Sequence, residues 1–219
     1  MSARRRTDRD WRRRRLGQNF LDPATADRIV EDARLTPGEL VVEIGAGSGA
    51  LTLALARRAV RVIAIEPDPD WARRLREQTG GHRVRVVGGD VLAVTLPREP
   101  FRVMGSLPFG RTTDILRCLL DDPATSLRRA DLIVQWEVAL KRAATPPSTL
   151  LSTAWAPWWE MHLARRIPAA AFRPVPRVDA GLLVITRRDP PLLPVAMARP
   201  YAAFVQREWP FPRSGVGHR

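Results

Sequence analysis

The sequence predicts an α/β protein with a mostly parallel, doubly wound sheet and an antiparallel C-terminal edge. Three observations predict it. Short apolar runs alternate with amphipathic stretches from Glu39 to Gln135. The first run, Leu40-Val-Val-Glu-Ile44, breaks at Gly45, Gly47 and Gly49 and passes directly into an amphipathic stretch. Two late apolar runs, 158–164 and 181–187, are joined through the proline-rich segment 168–177 and read as a strand pair.

The elements follow in order. Residues 1–15 hold Arg4-Arg-Arg6 and Arg12-Arg-Arg-Arg15 and too little apolar surface to fold alone, so they read as a disordered arm that can bind phosphates. Asp22-Pro23 is an N-cap followed by a first-turn proline. The helix after it, 24–34, turns Ala26, Ile29, Val30 and Ala33 to one face. Strands are expected at 39–44, 61–65, 83–87, 101–104 and 131–135, and helices at 50–58, 70–78, 113–120 and 136–144. One α/β domain is thus expected over 16–188. The tail, 189–219, begins with a proline-rich linker; a helix can start at Tyr201, and Trp209-Pro-Phe-Pro212 stops it.

The chain has 219 residues, 45% of them hydrophobic, which is enough for a real core. No apolar run approaches the roughly 18 residues of a membrane span, and no signal-peptide core opens the chain, so a cytoplasmic protein away from membranes is expected. Cys118, the one cysteine, excludes an internal disulfide and reads as a small core residue. The net charge is +13, nearly all from arginine, with Lys141 the single lysine. A high genomic GC content can supply arginine codons but not the excess over acids. That field attracts a polyanion, either nucleic acid or an anionic surface.

A strand ending in a glycine turn lets a nucleoside lie against bare backbone, and Glu66, at the tip of Ile63-Ala-Ile65, can bind ribose hydroxyls. A dinucleotide's pyrophosphate favours a different glycine spacing and is repelled by Glu43 beside the loop. A cationic sulfonium cofactor, S-adenosylmethionine, suits that acid better. Asp90, after Gly88-Gly89, reads as an acceptor for an adenine amine, with the Val91 amide for a ring nitrogen; a helix-cap role fits Asp90 equally well. In Ser106-Leu-Pro-Phe109 an aromatic ring on a rigid turn can stack on a flat base, and free carbonyls can accept from its amine. No metal cluster is expected.

Taken in order, these motifs resemble the Erm rRNA adenine N6-methyltransferases, relatives of the KsgA rRNA dimethyltransferases. The resemblance runs from about Arg15 to Arg188. It includes Gln18-Asn-Phe-Leu21, Glu43 to Thr52, Ile65-Glu66, Gly89-Asp90-Val91, Ser106 to Phe109, Gln135-Trp-Glu-Val138 and Phe172 to Asp179. It implies a Rossmann-like S-adenosylmethionine-dependent methyltransferase fold. The segment Gln18, Asn19 and Leu21 would contact the cofactor, as would Gly45, Ala46 and Gly47, with Glu66 on the ribose and Asp90 and Val91 on the adenine. Ser106, Leu107, Phe109 and Phe172 would receive the target adenine. The implied partner is 23S rRNA before full ribosome assembly, the implied outcome macrolide, lincosamide and streptogramin B resistance, and the expected state a monomer.

Two departures bear on this. The family's asparagine is replaced by Ser106, whose shorter hydroxyl cannot also offer an amide NH2; a lost transition-state contact of this kind costs roughly 2.7–4 kcal/mol. Only a short tail follows Arg188, where the family carries a helical domain that helps hold RNA. Either the arginine arm supplies that affinity or the gene is cut short. A KsgA-like 16S rRNA enzyme and a catalytically weak RNA-binding remnant therefore stand as alternatives, while an NAD-dependent oxidoreductase is disfavoured by the loop.

Overall fold

The computed structural model describes residues 19–58, 60–80 and 83–209. The arginine arm, Gln18 and Pro210-Phe-Pro212 of the expected stop lie outside the described residues. A short strand β1 (Phe20–Leu21) precedes helix α1 (Pro23–Asp32). There Asp22 caps the helix, accepting from the Thr25 amide at 2.9 Å, with proline in the first turn. Strand β2 (Leu40–Ile44), helix α2 (Ala50–Ala56), strand β3 (Arg61–Glu66), helix α3 (Pro69–Gln78) and strand β4 (Val84–Gly88) follow. Next come β5 (Phe101–Ser106), α4 (Thr112–Leu120), β6 (Leu127–Gln135), α5 (Trp136–Ala143) and α6 (Leu150–Trp155). The chain continues with β7 (Trp159–Ile167), β8 (Phe172–Arg173), β9 (Ala180–Arg187) and α7 (Ala198–Glu208).

The main sheet has seven strands in the order β4-β3-β2-β5-β6-β9-β7. β4 through β6 run parallel, β9 is antiparallel to β6, and β7 is antiparallel to β9. From β2 the chain first winds outward through β3 and β4, then returns to place β5 on the other side. That reversal opens a crevice at the carboxyl ends of β2 and β5, the usual ligand position in such sheets.

β2 is buried on both faces: Val41 joins Ile29, Leu51 and Leu55 on one side, and Val42 joins Phe101, Leu116 and Leu183 on the other. Parallel strands covered by helices have to be apolar throughout.

Several expectations change. Cys118 is exposed, because Ile115, Leu116, Leu119 and Leu120 take the inward stripe of α4 and position 118 falls outside it. Its thiol pKa is pushed up by partial burial and by Asp90 and Asp121, which disfavours a nucleophilic thiolate. β6 starts four residues before the expected 131, at Leu127; Arg128 and Arg129 hide the strand from hydropathy, and Arg129 is paired with Asp131. Helix α6 comes from what reads as loop, with Thr149 capping it by accepting from the Ser152 amide. β1 and β8 are two residues each, too short to leave a periodic signal, yet they pair with each other.

The tail helix α7 is longer than expected and packs on the body. The Trp158 indole donates to the Leu193 carbonyl at 2.9 Å, and Tyr201 meets its ring edge-on at 5.9 Å.

Candidate active site

A cleft opens where the topology reverses. Asn19, Phe20 and Leu21 wall it on one side, and Gly45 to Ser48 and Glu66 form its floor. Ser106 to Phe109 and Phe172 close the far side. Its free space, open solvent included, is about 730 Å³.

The floor is held by the tip of β3. Gly45 and Ala46 both donate to the Ile65 carbonyl, at 2.9 and 3.3 Å, and Gly47 donates to Glu66 Oε2 at 2.7 Å. These amides are therefore engaged with protein, unlike the free amides that cradle a pyrophosphate. Gly47 sits at φ 55, and a Cβ there would stand 3.1 Å from the Phe20 ring, so glycine is needed for both the turn and the close approach.

Glu66 is only 3% exposed and also accepts from the Asp68 amide at 2.9 Å. Burial raises its pKa, offset in part by those two backbone donors. Two of the carboxylate's roughly four acceptor sites are used, which leaves capacity for hydroxyl donors. Glu43, 1% exposed in the cleft floor, accepts from the Thr52 hydroxyl at 2.6 Å. Desolvation pushes its pKa up to about 7, the Thr52 bond opposes that, and the neighbouring Glu66 adds to it. Two buried acids beside one cleft make a place where a cation is favoured.

The opposite wall starts at the end of β5. Ser106 pairs with Ile133, and the Leu107 amide donates to the Ile133 carbonyl at 2.9 Å, which fixes where the Ser106-Leu-Pro turn leaves the sheet. Gly105 lies one residue earlier against Ile44; a Cβ there would be 2.4 Å from the Ile44 carbonyl oxygen. Phe109 is half-buried at the mouth, whereas Phe172 is 2% exposed.

Leu21 pairs with Phe172 in the small β1–β8 ribbon, and the Asp22 amide donates to the Ala171 carbonyl at 2.8 Å. That ribbon brings two ends of a 150-residue separation to one wall. Phe20, tilted against Trp71 at 4.7 Å, is a cleft residue not singled out above. Its signal was its place between Asn19 and Leu21 in a motif already noted.

The sequence-predicted residues thus fall in two groups. Asn19, Leu21, Gly45, Ala46, Gly47, Glu66, Ser106, Leu107, Phe109 and Phe172 share the cleft. Asp90 and Val91 stand past the end of β4, outside the cleft's own walls. Asp90 caps the turn Val91–Ala93 by accepting from the Leu92 amide at 3.1 Å, and Arg111 donates to its other oxygen at 2.9 Å. The Leu92 amide first, and then Arg111, hold its carboxyl below the usual carboxylate range. Arg111 follows Phe109 by two residues, so this ion pair ties the β4 turn to the Ser106–Phe109 turn.

A doubly wound sheet with this strand order, glycine floor and strand-tip acid is a Rossmann-like methyltransferase fold. The crystal structure of the 23S rRNA methyltransferase ErmE superposes with a TM-score of 0.78 and 37% identity, covering 86% of this chain and 78% of that one. A dimethyladenosine transferase from Plasmodium falciparum shares the fold, with a TM-score of 0.70, 21% identity, and coverage of 78% of this chain and 64% of its own.

The chain matches the model of the ribosomal RNA adenine dimethylase family over residues 9–209 and belongs to that family. An rRNA adenine N-6-methyltransferase from Corynebacterium diphtheriae is 39% identical across 92% of this chain and 79% of its own length. The mycinamicin-resistance protein MyrB of Micromonospora griseorubida is 42% identical across 93% of this chain, which spans 65% of that relative.

Proposed function

We propose that this chain is an Erm-type enzyme that methylates N6 of a specific adenine in 23S rRNA, using S-adenosylmethionine, and so protects ribosomes from macrolide, lincosamide and streptogramin B antibiotics. One observation carries the reading: a single cleft joins the glycine floor and Glu66 to the Ser106–Phe109 turn and Phe172. Family membership and the two named methyltransferase relatives point the same way.

The residues present fit the cofactor. A side chain at Gly47 would fill the floor, Glu66 retains acceptor sites, and Glu43 offers a buried carboxyl to a cationic group. Asn19, Leu21, Gly45, Ala46 and Gly47 would hold its methionine portion and Glu66 its ribose. Asp90 and Val91 would reach its adenine from beyond the cleft wall. When bound, this cofactor supplies an electrophilic methyl group on its sulfonium.

The protein's own part is positioning. Phe109 and Phe172 stack on a base taken out of the RNA stack. Ser106 Oγ and the Leu107 carbonyl accept hydrogens from its amine, which favours a more pyramidal, nucleophilic nitrogen. Methylation on N6 fills space needed by the drug and removes a hydrogen-bond donor.

The test is incubation with 23S and 16S rRNA and labelled cofactor, followed by primer-extension mapping. Label at one adenine of 23S rRNA is expected; label in 16S rRNA alone would transfer the chain to a KsgA-like role. Ser106 motivates a second reading, a platform that binds RNA and cofactor without turnover. Robust turnover by the unaltered chain would dispose of it.

A further inference from the structure

A second pocket lies on the same carboxyl edge, two strands away from the glycine floor. β6 ends at Gln135, two residues past Ile133, the partner of Ser106 and the acceptor for the Leu107 amide. Trp136 follows and begins α5, with its amide on the Asp179 carbonyl at 3.0 Å. β9 starts and β7 ends at this edge, so Asp179 and Arg166 stand beside Trp136. The pocket is lined by Gln135, Trp136, Glu137, Arg166, Arg177 and Asp179. The segment from Phe172 to Asp179 connects the two, with Phe172 lining the cleft and Arg177 and Asp179 lining the pocket.

Its chemistry is specific. The Arg166 guanidinium lies 5.0 Å from the centre of the Trp136 ring, and Asp179 fixes it there through Nε at 2.7 Å. Asp179 is in turn held by the Ala169 amide at 2.8 Å, and its pKa is lowered by that amide first and by Arg166 next, so it stays ionised. The result is an exposed guanidinium over a half-buried indole.

Arg177 lies exposed on the rim and offers a second cation. The Gln135 side chain does not cap α5 and stands at the pocket with both donor and acceptor. A cation over an aromatic ring, a polar edge and a second cation are what an unstacked nucleotide needs. Asp179 is neutralised by Arg166, and Arg177 offsets the remaining carboxylate of the lining, Glu137.

We propose that this pocket is a subsite for an RNA nucleotide neighbouring the target adenine, with its base on the Arg166–Trp136 stack and its phosphate at Arg177. The proposal rests on the RNA-methylating reading above. It gives the enzyme a second grip on the strand, so that the adenine is presented to Ser106 and Phe109 by a splayed backbone held on both sides.

The test measures binding of the full chain to a labelled 23S rRNA transcript across a salt series, with titration of S-adenosylmethionine as a control for folding. Trp136→Ala is expected to weaken RNA binding roughly 5–150-fold, the range for losing one base–aromatic stack. Trp136→Phe keeps most of the affinity. Arg177→Ala lowers the slope of log affinity against log salt by about 1. Arg166→Gln, at an exposed position, weakens RNA binding and leaves the cofactor titration unchanged, and it decides the matter should Trp136→Ala lose its fold. RNA affinity equal to the unaltered chain in Arg166→Gln, or in a folded Trp136→Ala, overturns the subsite alone. An unaltered chain that binds no RNA overturns the function reading along with it.

Discussion

The two halves of the cleft are built differently. On the floor the polar groups are tied down by protein: Gly45, Ala46 and Gly47 donate to β3, Glu66 accepts two backbone hydrogen bonds and Glu43 accepts one from Thr52. The opposite wall is held at its root by Leu107 on Ile133, and beyond that presents the hydroxyl of Ser106 and the half-buried ring of Phe109, with Phe172 buried beside them. The floor is preorganised for a small ligand of constant shape. On the proposed reading the wall has to admit a base that arrives on a large RNA, so it relies on stacking surfaces in place of a closed hydrogen-bond network.

The comparison can be broken at the seam. Gly105→Ala puts a methyl 2.4 Å from the Ile44 carbonyl, between the strands that carry the two halves. A loss on the order of 4 kcal/mol, or roughly 10 °C in melting temperature, is expected together with loss of cofactor binding. A thermal melt with a cofactor titration reads both; unchanged values would mean the strands are not locked there.

On the wall, Ser106→Asn restores the longer side chain and is expected to raise turnover by as much as about 100-fold, with little change in cofactor affinity. Macrolide susceptibility of a sensitive bacterium expressing either form reports the same effect. A rate unmoved by the substitution would show that the hydroxyl, helped by a bridging water, suffices.

On the floor, Glu66→Ala removes the acceptor proposed for the ribose and frees the Gly47 and Asp68 amides. A charged hydrogen bond contributes about 1.5–3 kcal/mol, so cofactor binding should weaken roughly 10–150-fold in calorimetry. Equal affinity would place the ribose elsewhere.

Glu43 gives a pH signature. Its pKa is raised from 4.5 to about 7 by folding, so the folded state favours the protonated form. Its contribution is fully present below pH about 4.5 and is lost as pH rises to about 7, a change on the order of 3 kcal/mol. Melting temperatures of Glu43→Gln should therefore fall less across that window than those of the unaltered chain. A parallel decline in both would remove Glu43 as the cause.

The smallest effect is expected far from both halves. Cys118→Ser, on the exposed face of α4, should change stability by no more than about 0.5 kcal/mol and leave turnover intact.

Much of this was legible in the residues because it is local. The inward stripe of α1, the Asp22–Pro23 cap and the alternation from β2 to β6 depend on neighbours within a few positions. The glycine floor and Glu66 were legible because their spacing is set by one strand–turn–helix–strand unit. Cys118 was misread because an apolar neighbourhood in sequence does not say which of two adjacent helix positions faces the core. β1 and β8 left no trace because two residues carry no period.

The sequence by itself determined the sheet, its antiparallel edge, the sign of the protein's field and the motifs lining the cleft, since periodicity, turns and charge are properties of short segments. Only the tertiary structure decided that Leu21 lies against Phe172, that Arg111 ties the Asp90 turn to the Ser106 turn, and that Arg166 stacks on Trp136. Each of these joins residues more than twenty positions apart. Such contacts depend on where the strand order reverses and on what packing then brings together, and no short window of sequence contains that information.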